Sequence, residues 1–367
     1  MKILVMGFTK MKYMPYMNFY LENVDTHNNE VHVLYWNRDL QNENLDAYSS
    51  LVLHEFRCYQ EDDVPKTSKI TSFFKYRRFA KKLIQTEKFD FIFVLHSLPG
   101  VLIADVLKKY KGKYIFDYRD STYEAFKPFK EVVGQLVGNS AATFVSSAGF
   151  LRSLPAEYSH KIYTSHNILS DSLLHREEKA ENGIPSDKIR LCFWGFIRNE
   201  ALNKQIIDKI SADSRFELHY YGREQQIAMN LKMHAREIGA ANVFFHGEYT
   251  PEQRYEFVRS TDLIHNIYFD NNTQLAMGNK YYDGIIFKIP QLCMTTSFMA
   301  AKVMENGIGL ACNPDDPDFT DKLYDYYHQL DMKTFVTCCD EELQRVCGEY
   351  EEGRSIIKGC ITDMADT

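Results

Sequence analysis

The chain has 367 residues, 45% hydrophobic and 25% charged. This composition excludes bulk disorder, and the length exceeds one typical core, so two domains are expected. The net charge of −7 is uneven: residues 1–170 hold 22 Lys+Arg against 18 Asp+Glu (+4), and the remainder 21 against 32 (−11). Neither half carries the basic footprint of a nucleic-acid binder.

Eight cysteines, at 58, 192, 293, 312, 338, 339, 347 and 360, show no C-x-x-C pairing and no histidine partners at zinc spacing. Reduced thiols in a cytoplasm fit this pattern better than a disulfide framework. The opening "MKILVMGF" is too short an apolar run for a signal peptide, and no later run approaches a membrane span. A cytoplasmic protein, at most peripheral on the inner face of a membrane, is expected.

In chain order, strand-like runs fall at 2–6, 30–36, 50–56, 89–95, 113–117 and 142–147, with helix-like segments at 70–86 and 100–110. After a polar stretch at 173–188 the alternation resumes, with runs at 190–195, 216–222, 242–247, 262–268, 290–294 and 307–312. Near-continuous apolar strands separated by helices predict parallel sheets covered on both faces. Two such series predict two doubly wound domains, at 1–172 and 189–335, joined by a linker at 173–188. Terminal helices at 336–367 are expected to return toward the first domain. Ligands of open parallel sheets bind at the carboxyl ends of the strands, which directs attention to a cleft between the two domains.

Several common chemistries lack their motifs. The first strand is followed by a single glycine, Gly7, so the G-x-G-x-x-G fingerprint is absent, as are the P-loop and G-x-S-x-G patterns. "FVLHSLPG" places His96 and Ser97 after a buried strand, where a histidine either transfers protons or caps the next element. "FDYRD" delivers Asp117, Arg119 and Asp120 to the next strand end, as a functional cluster or a structural ion-pair network. "WGFIRNEALNK" leaves its strand through Gly195 and presents Arg198 and Lys204, donors suited to phosphate oxygens. In "NKYYDGIIFKIP", Asn279, Lys280 and Asp283 share one face of a helical first turn, which is either a solvated face or a binding face. A carboxylate there suits a ribose diol, and the cations with the helix end suit a diphosphate, so a nucleoside diphosphate is the ligand these groups fit best.

These motifs resemble the retaining glycosyltransferases of family 4, which have the GT-B fold of two Rossmann-like domains facing a central cleft. "NKYYDGIIFKIPQLC" is similar to that family's "NKlfEYlaaGkPvi" segment, "FDFIFVLHSLPG" to its "DvvhaHs" strand end, and "YIFDYRDS" to its "vyDlrD" segment. "FVSSAGFLRSLP…KIYTSHN", ending at Asn167, is similar to "vSe.l…i.vi.N". "WGFIRNEALNK" stands in the place of the "GRl…KG" loop, and "NVFFHGEYTPEQRYEFVRSTDLIHNIY" in that of "V.f.G.v….y..aDv.v". The order is the family's over roughly residues 1–330.

The resemblance implies transfer of a sugar, with retention, from a nucleoside-diphosphate sugar to a hydroxyl of a glycan or lipid-linked acceptor. A hexosyltransferase of surface polysaccharide synthesis (capsule or lipopolysaccharide) is the expectation, with no metal and no other cofactor. It assigns His96 to the sugar near the reacting carbon, Asp120 to acceptor orientation, and Gly7, Arg198, Lys204, Asn279, Lys280 and Asp283 to the donor. Three departures stand out: Leu275 where a first glutamate is usual, a longer spacing from Arg198 to Lys204, and a glycine-rich turn reduced to Gly7. A nucleotide-sugar epimerase and a non-catalytic nucleotide-sugar-binding or scaffold protein are the alternatives on the same fold. The basic-aromatic stretch 66–82 is either a solvated helix or a peripheral contact with an anionic bilayer.

Overall fold

The structure is a computed structural model that describes residues 1–61, 66–270 and 273–365. It divides into two compact units, Met1–His166 with Gly348–Thr367, and Asn167–Cys347.

In the first unit the strands are β1 (Lys2–Met6), β2 (Glu30–Asn37), β3 (Val52–Arg57), β4 (Phe91–Leu95), β5 (Tyr114–Tyr118), β6 (Ala142–Val145) and β7 (Ile162–Thr164). They form one parallel sheet in the order β3-β2-β1-β4-β5-β6-β7. In the second unit β8 (Ile189–Trp194), β9 (Phe216–Tyr221), β10 (Val243–Gly247), β11 (Leu263–Asn266), β12 (Gln291–Met294) and β13 (Gly309–Cys312) pair in parallel as β10-β9-β8-β11-β12-β13. Strands such as β4, FIFVL, and β8, IRLCFW, are buried along their whole length, which is why they read as continuous apolar runs. The three-residue β7 has no such run and is not among the strands expected from the sequence. In each sheet the order reverses beside the first strand, between β1 and β4 and between β8 and β11, and those points are where ligands of such sheets sit.

The unit boundaries, 166/167 and 347/348, differ from the expected 172/173 and 335/336 for physical reasons. The segment after Asn167 is tied to the second unit: Arg254 Nη2 donates to Ser172 Oγ at 2.7 Å, and Lys179 Nζ donates to the Arg259 carbonyl at 3.1 Å. The expected linker also contains a short helix, Glu178–Asn182. The chain ends in one helix, Met332–Ala365, whose apolar positions serve two cores. Phe335, Cys339 and Val346 belong to a core of the second unit, and Ile357 and Ile361 to that of the first. Gly353 lets this helix meet the first sheet closely, since a Cβ there would lie 2.9 Å from Phe19 and 3.1 Å from Phe144.

The same polar device occurs on both sheets. On β2, Glu30 accepts from His32 (2.8 Å), whose other ring nitrogen lies 2.7 Å from that of His54 on the edge strand β3. On β9, Glu217 lies 3.4 Å from His219, whose second nitrogen is 3.0 Å from that of His246 on the edge strand β10. Each imidazole pair shares one proton, and a second proton would set two cationic edges against each other. Burial and then the His32 charge push His54 down; burial and then the His246 charge push His219 down; burial pushes His246 down. Lys2 and Glu87 also act on His54, in opposite directions, and Arg190 adds to the lowering of His219. Histidines depressed in the fold bind fewer protons than in the unfolded chain, so their stability contribution is full above about pH 6.5 and is lost as pH falls. The urea midpoint is therefore expected to drop between pH 7.5 and 5.5, and the drop to shrink in a His54→Gln/His246→Gln variant. An unchanged drop in that variant would assign the pH dependence elsewhere.

Candidate functional site

In the second unit the site forms where β8 and β11 diverge. The chain leaves β8 through Gly195, at φ +114°, a conformation that favours glycine. Phe196 and Arg198 follow, both exposed, and Asn199 then caps the helix Glu200–Ser211 by accepting from Leu202 N at 3.1 Å. Asn199 also donates to the Phe269 carbonyl at 2.9 Å, which fixes the loop after β8 to the loop after β11.

Lys280 occupies the switch point itself. It lies in the first turn of the helix Asn279–Phe287 and is 7% exposed. Its Nζ donates to the Trp194 carbonyl at 3.0 Å and to the Tyr268 hydroxyl, and stands 4.2 Å from the centroid of the Phe193 ring and 4.9 Å from that of Tyr268. Burial pushes its pKa down to about 7; Asp283 opposes this and the charge of Arg198 adds to it. The same ammonium, with burial as the larger cause, brings the buried His265 down to about 3.

Asp283, one turn on, is 3% exposed. It accepts from the Trp194 indole N–H at 2.8 Å, and its other oxygen lies 3.5 Å from Arg254. Burial raises its pKa against the pull of Arg254 and that hydrogen bond. In this arrangement its carboxylate is held inward by protein groups, and it orders β8 and the helix rather than meeting solvent.

In the first unit His96 follows β4 with φ +89°, an outlier that costs about 1–3 kcal/mol and is found where a side chain must be aimed. Its Nε2 is 3.3 Å from Asp120 Oδ2. Beneath them Asp117, fully buried, accepts from Arg119 at 2.8 Å, and the Arg119 guanidinium lies 3.9 Å from the centroid of the Tyr16 ring. Burial pushes Asp117 up despite that partner. The imidazole also accepts from Leu98 N at 3.4 Å, capping the helix Ser97–Leu102, while the pair below it is buried.

The expected site residues thus separate. His96 meets Asp120 in one unit, and Arg198 neighbours Lys280 in the other. Lys204 joins neither, because it is in the second turn of its helix and pairs with Glu200 at 2.7 Å. Asn279 is exposed at the first position of its helix. The donor contact expected at Gly7 finds that residue buried: Met14 of the following 3-10 turns covers its Cα, its N–H donates to the Leu34 carbonyl at 2.8 Å, and its carbonyl accepts from Tyr76 at 2.5 Å. Residues that sequence reasoning missed are Trp194, Tyr268 and Arg254. Tyr268, ending "DLIHNIY", carried a signal as a polar-tipped aromatic at a strand end; Arg254, in "PEQRYEF", carried none.

No protein-family model and no curated protein sequence matches this chain. Solved structures do. It is similar over its whole length to sucrose-phosphate synthase from Thermosynechococcus elongatus (11% identity, 99% of that chain covered, TM-score 0.72). It is similar as well to HepE from Anabaena, determined with UDP and glucose (12% identity, 100% of both chains, TM-score 0.65). A putative UDP-N-acetylglucosamine 2-epimerase from Listeria monocytogenes covers 96% of this chain and is covered to 97% (11% identity, TM-score 0.58). The fold is that of GT-B glycosyltransferases. Identities this low establish the fold alone.

Lys280 supplies the measurement that checks this site. Its ammonium is depressed, so at pH 7 and below the full penalty of burying charge is present. Wild-type stability should rise with pH above 7, as the native state releases a proton that the unfolded chain keeps. Relative to Lys280→Met, wild type is expected to gain about 3 kcal/mol between pH 7 and 9.5. Parallel stability curves for the two proteins would mean that the lysine is not buried as charge.

Proposed function

We propose that this protein is a glycosyltransferase that binds a nucleoside-diphosphate sugar on its second unit and transfers the sugar to a hydroxyl of a glycan or lipid-linked acceptor. The observation that carries the reading is the convergence of Lys280 and Arg198 on the switch point of a sheet whose fold neighbours bind UDP or UDP-glucose. A diphosphate supplies the negative charge that those cations lack, and its departure with added charge is the step they would stabilise. His96 and Asp120 form the acid–base pair that would contact sugar and acceptor. We propose retention of configuration, a hexosyl donor, independence from metal and a role in surface polysaccharide synthesis, all on the family resemblance of the motifs. The epimerase reading has support in the Listeria neighbour; it requires acid–base groups on both faces of the sugar, and His96 with Asp120 supplies one set.

No helix among the described residues is long and apolar enough to cross a membrane. The stretch 66–82 lies mostly on the helix Ile70–Glu87, which buries Tyr76 and Ala80 but exposes Ile70 (48%) and Phe74 (61%). Lysines and arginines beside the exposed Ile70 and Phe74 support peripheral contact with an anionic bilayer as part of this proposal.

The first test is thermal stability with UDP, GDP, CDP and ADP, each with and without EDTA. A nucleotide at 100 times its Kd adds roughly 2.7 kcal/mol. One nucleotide is expected to stabilise wild type in EDTA and to lose most of that effect in Arg198→Gln, an exposed position whose replacement leaves the fold intact. Absence of a shift with all four would remove the donor-site reading, and a shift only without EDTA would remove metal independence.

Proton uptake gives a second, independent check. At pH 8 the free Lys280 is mostly neutral; a bound diphosphate favours its charged form, so binding should take up as much as one proton. Calorimetry in two buffers of different ionisation enthalpy reads that number. Zero uptake, or uptake that persists in Lys280→Met, would take the diphosphate away from this lysine.

A further inference from the structure

The loops after β8 and β9 are locked together in a way that the diphosphate does not require. Gly195 N donates to the Tyr221 carbonyl at 2.9 Å, and a Cβ on Gly222 would run into the Gly195 carbonyl, so the two backbones touch. Gln225 adds a side-chain bond to the Ile197 carbonyl. This contact brings a second guanidinium to the rim: Arg198 lies 5.6 Å and Arg223 5.9 Å from the centroid of the same Phe196 ring. Phe196 is 48% exposed, and Phe269 on the adjoining loop is 57% exposed.

Neither guanidinium is neutralised by the protein. The nearby carboxylates are committed elsewhere, Glu224 to Lys232 at 2.8 Å and Glu200 to Lys204 at 2.7 Å. Among the described residues no carboxylate lies within ion-pair distance of Arg198, Arg223 or Lys280. With Lys280 in the charged form that a bound diphosphate favours, three cations on this unit exceed what one diphosphate diester, with two negative charges, balances. Arg198 lies near enough to Lys280 for its charge to add to the lowering that burial causes there. Arg198 thus belongs with the lysine, and Arg223, carried by the loop after β9, meets it at an exposed aromatic ring.

We propose that Arg223 is a specificity-determining residue that reads a second anionic group on the ligand, the carboxylate of a uronic-acid sugar carried by the nucleotide donor. This rests on the nucleotide-sugar reading above. A guanidinium recognises a carboxylate by two parallel N–H bonds, and the open face of Phe196 offers the ring of the same sugar an apolar surface.

The test compares the affinities of neutral and acidic donors, UDP-glucose against UDP-glucuronate and GDP-mannose against GDP-mannuronate, for wild type, Arg223→Gln and Arg223→Lys. Wild type is expected to bind the acidic donor of its nucleotide about tenfold more tightly than the neutral one. Arg223→Gln is expected to erase that preference while leaving the neutral donor's affinity unchanged, and Arg223→Lys to keep part of it. Equal weakening of both donors in Arg223→Gln would make Arg223 a third diphosphate ligand and overturn the proposal. So would a wild type that binds both donors equally well, whatever the variants do. Binding of none of the four donors would instead overturn the nucleotide-sugar reading, and this inference with it.

Discussion

The second unit is organised around an ammonium group taken out of water at the point where its strand order reverses. Among the described residues Lys280 has two oxygen partners, the Trp194 carbonyl and the Tyr268 hydroxyl, and it also meets aromatic faces. Taking such a group out of water costs free energy that two hydrogen bonds and the aromatic faces only partly offset. Its position follows from the topology. β8 and β11 are neighbours whose following chains turn to opposite sides, leaving the end of β8 with a carbonyl that the next strand does not use. The lysine reaches that carbonyl from the helix that precedes β12.

Around this group the charges are arranged in depth rather than in pairs. Asp283 lies below the lysine, held by Trp194 and Arg254, and Arg254 is itself anchored to Ser172. Arg198 lies outside, exposed to solvent. An anchored carboxylate beneath and an unpaired guanidinium above leave the lysine electrostatically open on one side only. That asymmetry favours an anion arriving from the strand ends. A lysine that packed apolar surface merely for stability would be better replaced by an uncharged side chain, so its cost to the fold agrees with the binding role proposed for it.

Much of this was legible in the chain, for reasons that can be named. The parallel strands are buried on both faces and announce themselves as apolar runs. The spacing of Asn279, Lys280 and Asp283 on one helix was readable from period alone, but which of the three faces outward was not. Helical period gives relative angles; the direction of the core is set by what packs against the helix. Here Tyr281, Tyr282 and Ile285 together fill most of the circumference, so Lys280 and Asp283 are buried and only Asn279 is exposed. Lys204 misled for a related reason: its i,i+4 partner Glu200 competes locally for the charge that a distant ligand was expected to take. Gly7 misled because a lone glycine after a strand signals close approach of something, and what approaches is the chain's own Met14.

The first unit illustrates a different division of labour. There the buried pair, Asp117 with Arg119, takes up the role of a fixed support, while the pair above it, His96 with Asp120, stays partly exposed. The strained backbone at His96 supplies the reason that the two pairs do not merge. With φ at +89° the imidazole is turned away from the path a relaxed strand end would give it, toward the Asp120 carboxylate. A relaxed backbone at residue 96 would move that imidazole and also the His96 N–H, which donates to the Asp117 carbonyl at 2.8 Å, so the main chain ties the strained residue to the support beneath it. The strained residue and the buried support are therefore joined, and the support beneath is what allows the fold to hold the strain.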